Sequence, residues 1–297
     1  MTTQTTPAYS AQPTQNHLLA ALDPNKNSCI LSSLELVFLP LGEVLYEAGG
    51  RITHAYFPVD CVVANVYETN TGNTGESLIV GNDGMLGVEL VMPSQTASAR
   101  TVVVSKGLAY RAPAKVVTAQ SHLYGDFFAL VLRYVQITLS QISQTAACNR
   151  HHSIDQQLCR WLLLALDRVP NGELTMTHEL IANMLGVRRE SVTAAAAKLQ
   201  QRGVISYRRG HISVLKRAVL EQLSCECYSV VQNEANRLLP DCAATPTIRK
   251  VTSRHFERAV APRNMSPDMR LVAPSKPNSR HAAARNPPGL PKTSLGS

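Results

Sequence analysis

The sequence predicts an α+β chain in three consecutive parts. Three observations predict it. Residues 37–117 are short Val, Ile, Leu and Tyr runs cut by turn formers. From Gly125 the apolar period switches to steps of three and four and holds for more than twenty residues. Residues 178–206, HELIANMLGVRRESVTAAAAKLQQRGVIS, place two helix-like stretches about Gly186 and run on into a strand-like VISYRRGHISVL. Strands with regular turn spacing indicate a sandwich or barrel, and a helix, a glycine turn, a helix and a hairpin make a winged helix-turn-helix.

Each element follows from local chemistry. Residues 1–15 are polar and are expected to be disordered. His17–Leu36 suits one or two short helices, with Asp23-Pro24 as a start signal. Pro40, Gly42, Gly49-Gly50, Pro58, Asn70-Thr-Gly72, Gly81–Gly84 and Gly107 mark the turns of a β domain, which is assigned 16–124. In the helix over 125–150, Phe127, Leu130, Tyr134, Ile137 and Gln141 share one face, while Phe128, Leu132, Val135 and Leu139 are also apolar. A helix apolar on two faces must bury both. The second face most simply meets the same helix of another chain, so a dimerisation helix is expected; the alternative is a helix fully buried within one chain. The DNA-binding domain is assigned 151–232: an amphipathic helix Ile154–Val169, then Thr177 as an N-cap, Gly186 as a stop, Arg188–Gln201 as the second helix, and a two-stranded ribbon turning at Arg209-Gly210. Residues 233–297, rich in Pro, Ala, Ser and Arg, are expected to form a basic disordered tail.

The chain has 297 residues, 44% of them hydrophobic, and a net charge of +8. That charge lies in residues 236–297, with 11 basic and 3 acidic side chains; residues 1–235 hold 18 of each. Within that balanced part, residues 186–217 carry eight basic side chains and only Glu190 as an acid. A positive stripe beside a mildly acidic domain points to a polyanion partner for the stripe. No apolar run is long enough for a membrane span, and no secretory signal is expected at the N-terminus. Seven scattered cysteines fit reduced thiols in the cytoplasm.

The second helix of such a unit lies in the major groove with its N-terminal residues against base edges. Arg forks to guanine and Glu accepts from cytosine, so Arg188, Arg189, Glu190 and Thr193 are the expected base readers. Thr177, Ser191, Lys198, Tyr207, Arg208, Arg209 and His211 are the expected backbone contacts, the wing residues touching phosphates. No catalytic set is expected: no Ser/His/Asp arrangement or Gly-Lys phosphate loop occurs, and one histidine, His54, within 37–117 leaves a cupin-like metalloenzyme unsupported. No metal site is expected either. Cys225-Glu-Cys227 lacks a second ligand pair in sequence, although Cys242 and His211 exist, and Cys29, Cys61, Cys148 and Cys159 are too widely spaced for an iron–sulfur cluster. A non-specific DNA-packaging protein would account for the basic tail but not for the β domain.

LTMTHELIANMLGVRRESV at 174–192, continuing to LQQRGVI, resembles the DNA-binding signature of the Crp/Fnr family of bacterial transcription regulators. FLPLGEVLYEAGGRITHAYFPVDCVV at 38–63 resembles the opening strands of that family's effector-binding β-roll. The resemblance implies a cyclic-nucleotide-binding-like β-roll, a dimer helix and a homodimer. It further implies a two-fold-related site on double-stranded DNA and contact with RNA polymerase. Arg189 and Glu190 match the family's base-reading pair, while Arg188 replaces a common Ser. In the roll, the family's cyclic-nucleotide cassette is altered. Gly87-Val88-Glu89 carries the glutamate one place late, and Arg100 stands downstream of the place where an arginine would hold the phosphate. A cyclic phosphate would lack a charge-assisted bond there. Gly87, Glu89 and Arg100 are therefore the candidate effector pocket, no cofactor is required, and binding of cAMP or cGMP is not expected.

Overall fold

The computed structural model describes residues 11–169, 173–208 and 210–239. Two short helices, α1 (His17–Ala20) and α2 (Ser28–Ser32), precede seven strands: β1 (Glu35–Leu39), β2 (Val44–Tyr46), β3 (His54–Pro58), β4 (Val62–Glu68), β5 (Thr74–Val80), β6 (Arg100–Ser105) and β7 (Gly107–Pro113). They form two antiparallel sheets, ordered β1-β7-β3 and β2-β6-β4-β5. Register is fixed in places by side-chain pairs: Glu35 lies opposite Arg111 across β1 and β7, and their charged groups meet at 2.8 Å.

Helices follow in sequence: α3 (Ala114–Ser121), α4 (Asp126–His151), α5 (Ile154–Leu166), α6 (His178–Leu185), α7 (Arg189–Gln201), α8 (Arg217–Leu223) and α9 (Cys227–Leu238), with strands β8 (Glu173–Thr175), β9 (Ile205–Arg208) and β10 (His211–Val214) between them. The last three strands form a sheet ordered β8-β10-β9. The wing thus gains a third strand, because the residues before α6 pair with His211–Ser213. Ser153 caps α5 with a reciprocal Gln156 bond, and Thr177 accepts from the Leu180 amide at the start of α6.

The four-stranded sheet is buried on both faces, as its alternation shows. Val63, Leu78, Val80 and Val103 point into the roll with Phe57, Phe127 and Leu130. Val62, Ala64, Val66, Ile79 and Val104 point outward against Trp161, Leu162, Leu185 and Val192. Full burial of each such side chain is worth about 1.5–3 kcal/mol, so the sheet joins the roll to the helical domain through apolar area. Polar groups add direction. Trp161 donates to the buried Glu76 carboxylate at 2.7 Å, Arg168 meets Asp83 at 2.8 Å and Gln141 at 3.0 Å, and Thr74 Oγ1 donates to the Asn183 carbonyl at 3.3 Å. A side chain at Gly84 would run into the Tyr134 ring, and one at Gly81 into Arg168.

Two expected disordered regions are partly ordered. Residues 1–10 lie outside the described residues, but Pro13–Gln15 form a 3-10 turn, Ala11 accepts from the Tyr110 hydroxyl, and buried Asn16 caps α1. At the other end α9 runs to Leu238, well past 232, because Val231, Ala235 and Leu238 make an apolar strip and Leu239 is buried. Gln136 of α4 also donates to Glu234 of α9. The basic tail from 240 on lies outside the described residues.

Helix α4 therefore has three faces. Phe127, Leu130, Val131, Tyr134 and Ile137 cover the roll. Gln136, Gln144 and Cys148 face α9 and the segment before it. A third strip, Phe128, Leu132, Val135, Leu139, Ile142 and Ala146, runs at alternating steps of four and three; Leu132 is 46%, Leu139 60% and Ile142 37% exposed. No helix among the described residues is long and apolar enough to cross a membrane.

Candidate DNA interface and sensor cavity

The turn between α6 and α7 needs Gly186, whose φ of +65° is left-handed. It lets Val187 return a backbone bond to Ala182 and brings α7 in at once. Helix α7 seats itself through buried Val192, Ala195, Ala196 and Leu199. The opposite edge begins with Arg188, which is the N-cap residue rather than part of the first turn, and continues with Arg189, Glu190, Thr193, Ala194 and Ala197, all exposed. Arg188, Arg189 and Glu190 make no ion pair among the described residues. Ser191 is half-buried behind them.

The other expected contacts are spread around this edge. Lys198 is exposed but bonded to Asp155 of α5 at 2.8 Å. Thr177 spends its oxygen on the α6 cap. Tyr207 and Arg208 lie on β9, and His211 begins β10 with its Nδ1 3.2 Å from Thr175 Oγ1. Arg209 lies outside the described residues.

One contributor was missed in the sequence. The His178 ring stacks on Tyr207 with centroids 4.1 Å apart and planes 18° from parallel. Its Nδ1 lies 3.1 Å from Thr193 Oγ1, whose own proton goes to the Arg189 carbonyl at 3.0 Å. That arrangement assigns the imidazole proton to Nδ1. Burial, then the Arg189 charge, holds His178 below the usual histidine range. His178 thus ties the start of α6 to the reading edge of α7 and to the wing. With Ala197 and Gln200 these residues line an open cleft of about 250 Å³. A histidine following a capping threonine gave no signal in sequence; its i+15 relation to Thr193 exists only after the turn forms.

In the roll, Gly87 (φ +83°) starts a short 3-10 turn, and Glu89 accepts from the backbone and hydroxyl of Ser98 at 3.2 and 2.9 Å. Gly87 and Glu89 line a cavity of about 20 Å³ with Tyr46, Leu86, Thr101 and Thr138. That is room for about one water. Arg100 does not join them. It sits at the exposed start of β6 and reaches Glu47 at 3.4 Å, so the expected trio is split.

A group of potential ligand side chains also comes together that the cysteine spacing did not suggest. Cys148 and His152, at the end of α4, meet Cys225 and Cys227, with their four ligand atoms all within 4.8 Å of one another. Sequence reasoning considered Cys225-x-Cys227 with Cys242 and His211. The side chains next to Cys225 and Cys227 are instead an i, i+4 pair more than seventy residues upstream.

Residues 156–223 match the family model of the Crp-like helix-turn-helix domain. The DNA-binding domain of this chain is Crp-like. The match takes in all but the first two residues of α5 and the whole of α6 to α8, and so includes the exposed edge of α7. The fold of the chain, Crp-like domain and roll together, is that of solved Crp/Fnr regulators. A putative regulator of the crp/fnr family from Eubacterium rectale is 19% identical, with a TM-score of 0.52 over 69% of this chain and 96% of that one. FixK2 of Bradyrhizobium japonicum is 14% identical, with a TM-score of 0.55 over 65% and 98%. A CRP family regulator of Thermus thermophilus is 19% identical, with a TM-score of 0.53 over 63% and 96%. No curated protein sequence matches. Residues 156–223 thus form a Crp-like helix-turn-helix domain, next to a roll whose fold is that of solved Crp/Fnr regulators.

Proposed function

We propose that the chain is a homodimeric regulator that reads a two-fold-related DNA site through the start of α7. The observation that carries this is the reading edge itself: Arg188, Arg189, Glu190 and Thr193 stand exposed on a helix whose other side is locked into the core. Guanidinium and carboxylate groups with no ion pair among the described residues, aimed outward from a helix start, are suited to guanine and cytosine edges. The exposed strip on α4 supports the dimer. Its alternating steps of four and three match the seam of two parallel helices, and Leu132, Leu139 and Ile142 would be covered by the same residues of a second copy.

Half-sites in such a dimer lie about one helical turn, 34–36 Å, apart. Selection of bound duplexes from a random pool tests the reading. Two inverted half-sites at that spacing are expected; uniform enrichment of all duplexes would overturn it. Contact with RNA polymerase and a cytoplasmic location complete the proposal, as in other regulators of this fold.

The effector of the roll is not cAMP or cGMP in this reading. The cavity wall at Gly87 and Glu89 carries no cationic side chain, and Arg100 is engaged by Glu47 outside it. Calorimetry of the full chain with either nucleotide should give no heat of binding; micromolar affinity would reverse this.

A further inference from the structure

We propose that Cys148, His152, Cys225 and Cys227 form a closed Cys3His site for one zinc ion, clamping the end of α4 to the α8–α9 junction. The inference rests on geometry and is independent of what the protein does to DNA. Around a tetrahedral zinc with bonds of about 2.3 Å to sulfur and 2.0 Å to nitrogen, ligand atoms sit roughly 3.5–3.8 Å apart. Here Cys148 Sγ lies 3.6 Å from Cys225 Sγ, and Cys227 Sγ lies 3.3 Å from His152 Nδ1. The backbone supplies this spacing from two places. Cys148 and His152 are one turn apart at the C-terminal end of α4, and Cys225 and Cys227 flank a tight connection between α8 and α9.

The surroundings are those of a ligand set rather than of three cysteines filling a core. The thiols form a cluster of their own, apart from both large apolar cores. His152 turns Nδ1 inward and gives Nε2 to the Glu226 carboxylate at 3.3 Å, the arrangement that fixes a ligating imidazole. Gln144 Nε2 donates to Cys227 Sγ at 3.0 Å, and Gln157 donates to the His152 carbonyl at 2.9 Å. Three thiolates and a neutral imidazole around Zn²⁺ leave a net charge of −1. Buried Arg160, held by Thr145 one turn before Cys148, supplies a compensating cation. His152 is 18% exposed, which leaves a way in for the ion. Loading replaces the thiol protons: Zn²⁺ binds three sulfurs and one nitrogen, and up to three protons go to solvent. Soft sulfur ligands and a four-coordinate shell with no open position favour zinc in a structural role over a hard cation.

Elemental analysis of the full chain, purified without added metal or chelator, should find close to one zinc per chain. Chelated protein refilled with Co²⁺ should show thiolate-to-cobalt absorption and the visible bands of a tetrahedral site. Cys225→Ser and His152→Ala should each lower zinc affinity at least tenfold, whereas Cys159→Ser, whose thiol is buried elsewhere on α5, should leave zinc content unchanged. If the Cys225 variant does not fold, competition between wild-type protein and a chromophoric chelator gives the affinity directly. The proposal is overturned by reduced protein that holds under a tenth of an equivalent of zinc and gives no cobalt spectrum. It is equally overturned by a Cys148–Cys225 disulfide in protein taken from reducing cytoplasm, or by iron with acid-labile sulfide in place of zinc.

Discussion

Two pairs of arginines in the helical domain stand in contrast. Arg160 and Arg168 are buried between the roll and the helical domain, and each is answered from inside. Arg160 reaches Thr145 at 2.7 Å; Arg168 reaches Asp83, Gln141 and the Leu164 carbonyl. Arg188 and Arg189, some twenty residues on, are exposed and make no ion pair among the described residues. A charge taken out of water must find partners within the protein. A charge left at a helix start beside an apolar seat has its partner elsewhere. The contrast separates arginines that hold the domains in place from arginines left outward, as the proposed reading of DNA requires, although all four lie within residues 160–189.

The largest effect should come from breaking the buried group. Arg168→Ala strips Asp83, Gln141 and a carbonyl of their donor and should destabilise the fold by about 3 kcal/mol, read as a lower denaturation midpoint. A loss under about 0.5 kcal/mol would place Arg168 with the surface charges. Next is Arg189→Ala, expected to cost about 1–3 kcal/mol of binding at one base position while leaving stability unchanged; equal weakening on all sequences would make it a phosphate contact.

Glu76 sharpens the buried side of the comparison through pH. Burial raises its pKa above the usual carboxylate value, against the Trp161 hydrogen bond and the charges of Arg160 and Arg168. A raised folded pKa favours the folded state below the unfolded value of 4.5, and that contribution is lost as pH rises through the folded value. Relative to Glu76→Gln, the wild type should lose stability between pH 4.5 and neutrality; parallel stability curves would show that Glu76 titrates as it does unfolded. The smallest effect is expected for Lys198→Ala. Its exposed bond to Asp155 is worth under about 1 kcal/mol, and the salt dependence of DNA binding should fall by about one charge if Lys198 exchanges Asp155 for a phosphate.

Much of this architecture was legible because it rests on short-range rules. Turn formers gave the strands of the roll, Gly186 gave the helix turn, and a helical period held over more than twenty residues gave α4. What escaped depends on contacts distant in sequence or on weak signals. Helix α9 has only Tyr228, Val231, Ala235 and Leu238 as its apolar side, which reads as polar chain until α4 lies beside it. β8 is three residues long and is a strand only through β10. The double burial of β4 is written in VVANV, apolar at four of its five positions rather than alternating, a pattern that calls for a cover on each face. His178 and the Cys148–His152 pair matter through partners 15 to 77 residues away, which spacing along the chain does not reveal.

Trp161 is the one tryptophan in the chain, and it sits at the joint between sheet and helical domain with its indole N–H on a carboxylate. Its emission is therefore an unlabelled gauge of that joint. If the helical domain swings off the sheet, the fluorophore meets water and its spectrum moves to the red; as long as the two stay together, the colour holds whatever the wing or the rim of the roll is doing.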